Sequence, residues 1–95
     1  TYSHELLCTE LSSKRMLPYI SQIKAREVAE FETWVRHRGE EFMFMLSGAL
    51  TLYTEHYRPL HMKAGDSVYY DSGMGHGCVS TSTQDAMVLW VSLEL

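Results

Sequence analysis

The sequence contains no long apolar run and few basic residues, and each absence excludes a class of protein. Its 95 residues include 8 lysines and arginines against 12 acidic residues, for a net charge of −4. Because proteins hold nucleic acid chiefly through Lys and Arg that displace phosphate counterions, this balance argues against direct nucleic-acid contact. The longest apolar runs, such as Phe42–Leu46 and Ala86–Val91, are far shorter than the about 20 residues of a membrane-spanning helix, so no membrane association is predicted.

Cysteine is also scarce, and the arrangements that would make a nucleophile or a phosphate cradle are missing. The two cysteines, Cys8 and Cys78, are too few for a disulfide scaffold, and no secretory signal opens the chain. We therefore expect free thiols in a cytoplasmic protein. Cys78 follows His76 by two residues, but no third orienting group accompanies this pair. The glycines at 73, 75 and 77 precede a strand-like run, whereas phosphate-binding loops open a helix.

The composition predicts one small folded domain. Hydrophobic residues make up 45% of the chain, and six Tyr, three Phe and two Trp are enough for one modest core. Charged residues are only 21%, which excludes a disordered chain. No repeat or linker divides the sequence, and its length is that of a single domain.

Apolar residues recur mostly with a period of two, which is typical of half-buried strands. The alternation is clear at 50–54 and 87–94 and looser at 19–23, where β-branched and aromatic residues dominate. Turns containing Gly or Pro separate these runs. The pattern predicts a small all-β sandwich or barrel. One stretch competes as a helix, Ala25–Val35, because its apolar residues fall near helical spacing.

Two segments combine histidine, glutamate and glycine at fixed intervals. The segment His37–Gly48 reads as a histidine, three residues, Glu41, six residues and a glycine. The segment Gly65–His76 reads as a glycine, seven residues, Gly73, two residues and a histidine. Together they resemble the two motifs of the cupin superfamily, and the 16 residues at 49–64 suit the hairpin that connects those motifs.

The resemblance implies a metal site. Three positions depart from the family's motifs, with Val35 in place of a His, Asp71 in place of a Pro and Ser80 in place of an Asn. The family's full site uses three His and one Glu, so the resemblance leaves His37, Glu41 and His76 to hold a divalent transition metal such as Zn, Fe, Mn or Ni. Two imidazoles and one carboxylate can hold such an ion with positions open for water or a ligand. The alternative is a polar cluster that binds no metal.

The alternation along β-forming residues predicts where these groups point. Glu41 shares a face with Met43 and Met45, and a carboxylate on an apolar face is strongly disfavoured unless a cation or a donor meets it. We therefore expect the three candidate ligands to cluster in a cavity. The predicted ligand-binding wall of this cavity consists of Met43, Met45, Tyr70, Met87 and Leu89. Trp90 is predicted on the outer side of the last strand, available for a dimer contact, and His4, His56 and His61 are predicted to be solvated.

The residues around the motifs, for example His37–Phe42 and Leu52–Leu60, are similar to one branch of the superfamily. This branch consists of the C-terminal sensor domains of bacterial transcriptional regulators that carry a Cro/repressor-type helix-turn-helix. The resemblance implies a single double-stranded β-helix, or small jelly roll, over residues 1–95. It also implies a cytoplasmic homodimer whose DNA-binding domain precedes this chain, and the start at Thr1 fits such a C-terminal piece.

The function predicted from this resemblance is effector sensing without catalysis. A small-molecule effector with an oxygen donor would complete the metal's coordination, and its differential affinity for two dimer arrangements would shift operator binding. An alternative is a small metal-dependent cupin enzyme, either a dioxygenase or an isomerase, with Tyr70 or Asp71 as candidate acid or base. A third hypothesis is a domain that only dimerises its parent protein.

Overall fold

The structure is a computed structural model that describes residues 2–28 and 33–94, and these residues form eight antiparallel strands in two facing sheets. The strands are β1 Tyr2–Leu6, β2 Met16–Ile23, β3 Gly39–Ser47, β4 Ala49–Thr54, β5 Leu60–Lys63, β6 Ser67–Asp71, β7 His76–Ser80 and β8 Ala86–Glu94. The larger sheet has the order β1-β2-β8-β3-β6, and the smaller has the order β5-β4-β7. The predicted all-β jelly-roll sandwich is confirmed.

The core lies between the two sheets and is built from every second residue of the strands. Its buried side chains include Ile23, Met43, Met45, Val88 and Trp90 from the larger sheet and Leu50, Leu52, Met62 and Cys78 from the smaller. Full burial of one Leu or Met side chain stabilises the fold by roughly 1.5–3 kcal/mol relative to exposure. The apolar interior therefore holds the sheets together, and the polar cluster described below lies at one end of it.

A tight turn at Gly48 takes the chain from the larger sheet to the smaller. Gly48 has a φ of +75°, in the left-handed region that favours glycine. A Cβ at this position would lie 2.9 Å from Ser82 Oγ and 3.0 Å from Ala86 Cα. Both the backbone conformation and the close packing therefore require glycine here. The turn fixes the end of β3 that is farther from Glu41.

The register of β8 corrects the predicted orientation of its side chains. Its neighbour β3 pairs Glu41 with Ser92 and Met43 with Trp90. Directly paired residues point to the same side of a sheet, so Trp90 and Ser92 face the interior. Trp90 is only 3% exposed. The predicted outward position of Trp90 is wrong because both faces of β8 carry apolar residues, which leaves the direction of the alternation ambiguous in the sequence.

The helical alternative over Ala25–Val35 lies partly outside the described residues, which do not include 29–32. On one side of that gap, the Ala25 carbonyl accepts a hydrogen bond from the Ser80 N–H at 2.8 Å. On the other side, Val35 forms an antiparallel bridge with His76. Both ends of the stretch are thus tied to β7 and are not α-helical.

No helix within residues 2–28 and 33–94 is long and apolar enough to cross a membrane.

Candidate metal centre

Three polar side chains from distant parts of the chain meet at one end of the interior. His37, Glu41 and His76 each offer one ligand atom, and these atoms lie within 4.8 Å of one another. His37 Nε2 is 2.8 Å from Glu41 Oε2, and His76 Nε2 is 3.4 Å from Glu41 Oε1. The side chains of Glu41 and His76 are 2% and 4% exposed, whereas that of His37 is 34% exposed. The cluster is therefore closed around the carboxylate and open at His37.

Backbone hydrogen bonds hold the two histidine-bearing segments in place. Val35 N–H donates to the His76 carbonyl at 3.2 Å, and His76 N–H donates to the Val35 carbonyl at 3.0 Å. His37 N–H donates to the Ser72 carbonyl at 2.9 Å, and Ser72 N–H donates to the Gly39 carbonyl at 3.0 Å. Val35, at the position of the family's first His, thus acts as a bridge partner of the His76 backbone.

Gly75 permits a close approach that places His76. A Cβ at position 75 would lie 2.7 Å from both Cβ and Cγ of Trp34. Real Cβ atoms do not come that close to other side-chain atoms, and Trp34 Cβ is fixed to its backbone, so only glycine fits without a shift of one strand. Gly75 is therefore required by the close contact with Trp34, and phosphate binding is not needed to explain it.

A salt-bridged carboxylate ties the two ligand segments together from outside, and we call it the Glu55 clamp. Arg36 donates hydrogen bonds to both oxygens of Glu55, with Nη2 2.7 Å from Oε2. The Gly75 N–H donates to Glu55 Oε1 at 3.0 Å. These bonds lower the pKa of Glu55 to about 2, with Arg36 as the largest cause. Because Arg36 adjoins His37 and Gly75 adjoins His76, the clamp links both histidines to the end of β4.

The Glu41 carboxylate is held by donors from both adjacent strands, since the register pairs it with Ser92 on β8 and Tyr70 on β6. Ser92 Oγ donates to Oε2 at 2.6 Å, Trp90 Nε1 donates to Oε1 at 3.0 Å, and the Tyr70 hydroxyl also donates to Oε1. Burial raises the pKa of Glu41, but hydrogen bonds from His76, Ser92 and Tyr70 outweigh that effect and lower the pKa to about 2. The carboxylate is therefore ionised at neutral pH.

His76 presents Nε2 to Glu41 because its other ring nitrogen is already engaged. Nδ1 lies 2.9 Å from the Met74 carbonyl oxygen, which can only accept, so Nδ1 carries a hydrogen. In the neutral ring the lone pair of Nε2 then points toward a carboxylate oxygen. Burial lowers the pKa of His76, but the interactions with Glu41 and the Met74 carbonyl raise it by more, so the net shift is upward. Either a proton on Nε2 or a metal cation bound to Nε2 satisfies this arrangement.

The donor set fits a divalent transition metal. A carboxylate has about four lone-pair positions, and the donors from Ser92, Tyr70 and Trp90 occupy three of them. The remaining position is on Oε2, the oxygen that faces His37. A histidine whose second nitrogen donates to a backbone carbonyl is the usual form of a metal-ligating histidine. Two imidazole nitrogens and one carboxylate oxygen suit Fe, Mn, Ni or Zn.

A cavity of about 280 Å³ opens over the three candidate ligands. Its described lining consists of Tyr2, His4, Tyr19, Val35, His37, Glu41, His76 and Trp90. Aromatic rings form most of the wall, with Trp90 stacked on Tyr19 at a centroid distance of 6.0 Å and 5.9 Å from Tyr2. Burial raises the pKa of Tyr19 to about 12 and also raises the pKa of Tyr2. Both hydroxyl groups therefore stay protonated at neutral pH.

The Tyr2 hydroxyl also seals the gap between the two sheets beside the cavity. It accepts a hydrogen bond from the Cys78 N–H at 2.8 Å and donates to the Cys78 carbonyl at 3.2 Å. Neither Cys8 nor Cys78 forms a disulfide, as predicted. Burial raises the pKa of the Cys78 thiol to about 12, so this thiol is unreactive.

The residues predicted to form the ligand-binding wall lie mostly elsewhere. Met43 and Met45 are fully buried in the closed core and do not border the cavity. Met87 and Leu89 point to the opposite face of the larger sheet, because the alternation of β8 is the reverse of the one predicted. The structure therefore does not place these four residues on the wall of this cavity. Tyr70 reaches the metal centre through its hydroxyl, while its ring lines a second cavity of about 600 Å³ beside the β4–β5 loop.

Sequence reasoning missed the aromatic wall of the cavity and the donors to Glu41. The missed residues are Tyr2, His4, Tyr19, Trp90 and Ser92. His4 is exposed, as predicted, but its Nδ1 also lies 2.6 Å from Ser21 Oγ and its ring packs edge-on against Tyr19 at 5.1 Å. These residues are brought together by strand pairing, and no local pattern in the sequence predicts that pairing. His56 and His61 are exposed, as predicted.

The comparisons with known proteins agree with the observed fold and with the set of candidate ligands. A family model described as a cupin domain matches residues 23–92. The chain belongs to the cupin family. No curated protein matches the sequence of this cupin significantly.

Solved structures with a similar fold include those of an epoxidase. Hydroxypropylphosphonic acid epoxidase from S. wedmorenis has a TM-score of 0.82 at 17% identity over 97% of this cupin and 50% of the enzyme chain. Fe(II)-HppE with the alternative substrate (S)-1-HPP has a TM-score of 0.79 at 16% identity over 97% of this cupin and 49% of that chain. CoII HppE in complex with Tris buffer has a TM-score of 0.82 at 17% identity over 97% and 53%. This cupin spans about half the length of those chains.

These likenesses, at 16–17% identity, show a shared fold, and they bear on three predictions. The prediction that the chain is not an enzyme is contradicted, because the similar structures belong to an epoxidase solved with iron(II) and with cobalt(II). The narrower resemblance to sensor domains of DNA-binding regulators finds no support among them. The predicted divalent transition metal agrees with both the ligand cluster and the metals in those structures.

Proposed function

We propose that this cupin is a small metal-dependent dioxygenase whose metal is held by His37, Glu41 and His76. The observation that carries the proposal is the convergence of two imidazoles and one carboxylate at the base of a cavity. This ligand pattern is that of non-haem iron(II) oxygenases, which leave coordination positions for other ligands. The similarity to structures of an iron(II) epoxidase supports an enzyme over a regulator.

In this proposal the protein orients the ligands and shapes the space beside them. Bound iron(II) would supply the site at which dioxygen and substrate react. The hydrogen bonds from Ser92, Tyr70 and Trp90 keep Glu41 ionised and fixed in direction. The Met74 carbonyl engages Nδ1 of His76, which leaves Nε2 as the nitrogen that would bind the metal. In a dioxygenase both atoms of O₂ enter one organic substrate, so the substrate supplies the electrons and no further reductant is required.

The cavity wall supports a compact, uncharged substrate with a flat apolar face. Its described lining contains no Lys or Arg, and burial lowers the pKa of His4, which keeps that ring neutral at pH 7. The rings of Tyr2, Tyr19 and Trp90 offer flat apolar surfaces on which an aromatic ring can stack. A phosphonic acid, as in the epoxidase's printed name, would find no Lys or Arg in the described lining to balance its charge.

The metal centre can be tested with iron and nitric oxide, which stands in for dioxygen. The protein is loaded with iron(II) without air, nitric oxide is added, and the high-spin half-integer EPR signal of an iron–nitrosyl adduct is expected. His76→Ala should abolish this signal, whereas His61→Ala, at an exposed histidine outside the cluster, should retain it. A folded wild-type protein without the signal, or a His76→Ala protein with an unchanged signal, would contradict the proposal.

The substrate class and the reaction type are tested by two further measurements. Trp34→Phe leaves Trp90 as the only tryptophan, so binding of catechol to the metal-loaded protein should quench its fluorescence, and hydroxypropylphosphonic acid should not. Oxygen consumption is then measured with small uncharged diols and phenols. Oxygen consumption with the phosphonic acid alone would overturn the proposed substrate class but would still support an oxygenase. Conversion of a probe without oxygen uptake would contradict the dioxygenase and favour the isomerase.

A further inference from the structure

The gap between two edge strands of the sandwich is not filled by the described side chains. The strand β5 is an edge of the smaller sheet, β6 is an edge of the larger sheet, and the turn at 64–66 joins them. The second cavity, of about 600 Å³, is lined from both of these strands and from the β4–β5 loop. Sites for small molecules usually have volumes of about 300–1,000 Å³, so this cavity is large enough for a compact organic ligand.

The floor of the second cavity consists of inward-facing apolar side chains that stay accessible. Leu60 lies two residues before buried Met62 and shares its inward face on β5, yet Leu60 is 41% exposed. Val68 pairs with fully buried Met43 on the inner face of the larger sheet, but Val68 itself is only half-buried. Contact between core-facing apolar side chains and water is unfavourable, so a ligand with an apolar body would be favoured here.

Aromatic rings form part of the wall. The hydroxyl of Tyr70 donates to Glu41, while its ring lines the second cavity from β6. Tyr57, on the β4–β5 loop, also lines the cavity and is 74% exposed. Aromatic rings pack well against one another in offset or edge-on arrangements. The wall therefore favours a ligand whose apolar part is an aromatic ring.

The rim of the cavity carries one permanent charge of each sign. Arg58 and Asp71 both line it, and both are exposed. Arg58 forms no ion pair within the described part of the chain. Asp71 Oδ1 accepts the Gly73 N–H at 2.8 Å, and its carboxylate likewise has no ion-pair partner among the described residues. The histidine of the rim, His56, already has an acidic neighbour, because its Nε2 lies 3.6 Å from Glu55 Oε1.

We propose that the second cavity binds a free amino acid with an aromatic side chain. Its carboxylate would pair with the Arg58 guanidinium, its ammonium group would pair with the Asp71 carboxylate, and its ring would cover Leu60 and Val68. A zwitterion matches a rim with one cation and one anion. A simple acid or a simple amine would instead leave one rim charge near a like charge. This inference does not depend on the proposed function, because the described lining contains no candidate metal ligand.

Three probes with the same phenyl ring separate the contributions of the two charges. Phenylalanine is the zwitterion, 3-phenylpropionate keeps only the carboxylate, and phenethylamine keeps only the ammonium group. In titration calorimetry of the whole chain, phenylalanine should bind about 5-fold more tightly than either analogue, the upper range for one ion pair at an exposed rim. Glycine, which has both charges and no ring, should not bind detectably. The proposal is overturned if phenylalanine does not bind at millimolar concentration, or if glycine or either analogue binds equally well.

Two variants show whether phenylalanine occupies this cavity. Arg58→Gln and Asp71→Asn each remove one rim charge at an exposed position, and the Asn side chain can still accept the Gly73 N–H, so both proteins should fold normally. Each variant should weaken phenylalanine binding about 5-fold. Arg15→Gln, at an exposed arginine in the β1–β2 loop, is the matched control and should bind like the wild type. Unchanged binding in both rim variants would show that phenylalanine binds elsewhere.

Titration with a chelator present distinguishes this site from the metal centre. Removal of any bound metal should leave the affinity for phenylalanine within a factor of about two, because sites without shared partners contribute independently. Loss of binding with the chelator would place the amino acid on the metal. That result would overturn the second site while leaving the metal centre intact.

Discussion

The two faces of the larger sheet are made by the same strands but reverse the usual distribution of side chains. At one end of the inner face, an ionised carboxylate is buried among hydrogen-bond donors. The outer face leaves Phe, Leu, Val and Met partly exposed. Burying a charge and exposing apolar surface both cost stability, so each departure points to something absent from a single chain. A metal ion at the ligand cluster accounts for the first departure.

The largest expected difference between the faces comes from adjacent glutamates on β3. Glu41→Gln removes the only anionic ligand of the centre, and we expect affinity for cobalt(II) to fall by more than about 100-fold, because even loss of an outer-shell partner costs 10–100-fold. Glu40→Gln changes the same residue type on the outer face and should leave the affinity within a factor of about two. Isothermal titration with cobalt(II) measures both, and equal losses in the two variants would contradict the assignment of the faces.

Packing separates the faces in the same way. Met43 is fully buried, so Met43→Ala should lower the free energy of unfolding by about 3 kcal/mol through lost burial and a cavity. Phe44 is 36% exposed, and Phe44→Ala should cost less than about 1 kcal/mol in the monomer, mostly from its cross-strand contact with Leu89. Urea unfolding of the wild type and both variants at the same low protein concentration provides the comparison. A larger loss for Phe44→Ala than for Met43→Ala would mean that the outer face is structurally part of a core.

Local sequence signals were sufficient for the fold and for the three candidate ligands. The period-two alternation predicts strands, and the intervals between His37, Glu41 and His76 place them in one cluster once two family motifs are seen together. The direction of Glu41 followed from its parity with Met43 and Met45, which places the three side chains on one face of β3.

The cavity wall could not be predicted because it depends on which strands become neighbours. On β8 both sets of alternating residues are apolar, so the sequence does not say whether Trp90 or Leu89 faces inward. The register with β3, which sets Ser92 beside Glu41, resolves this ambiguity. Tyr2 enters the cavity through long-range pairing of β1 with β2, which no local pattern encodes.

A smaller effect distinguishes serines on the two faces. Ser92→Ala removes the 2.6 Å hydrogen bond to Glu41 Oε2 and the 2.8 Å contact with the Tyr19 hydroxyl. The carboxylate then loses part of its orientation, and we expect cobalt(II) affinity to fall about 10-fold, the lower end of effects for groups behind a metal ligand. Ser67→Ala, at an exposed position on the outward side of β6, should have no effect. An unchanged affinity in Ser92→Ala would show that Trp90 and Tyr70 alone hold Glu41 in place.

The smallest effect separates two carboxylates whose pKa values are equally low for different reasons. The pKa of buried Glu41 is about 2 because fixed donors inside the fold outweigh its burial, whereas that of Glu55 is about 2 chiefly because of the half-exposed Arg36 side chain. A carboxyl group whose folded pKa lies below its unfolded value stabilises the fold above the unfolded pKa. For Glu55 this contribution is therefore present above pH 4.5 and is lost as the pH falls through about 2.

Salt should reveal the difference, since it screens exposed charges far more than buried ones. We expect Glu55→Gln to reduce the loss of thermal stability of the metal-free protein between pH 4.5 and about 2, and this difference from the wild type should shrink in 1 M salt, where the screening length is about 3 Å. The contribution of Glu41, measured as the difference between wild type and Glu41→Gln over the same pH range, should persist in that salt. Thermal unfolding at two salt concentrations measures both. If the Glu55 difference also persisted, the N–H of Gly75 rather than the Arg36 ion pair would be the group that stabilises the Glu55 carboxylate.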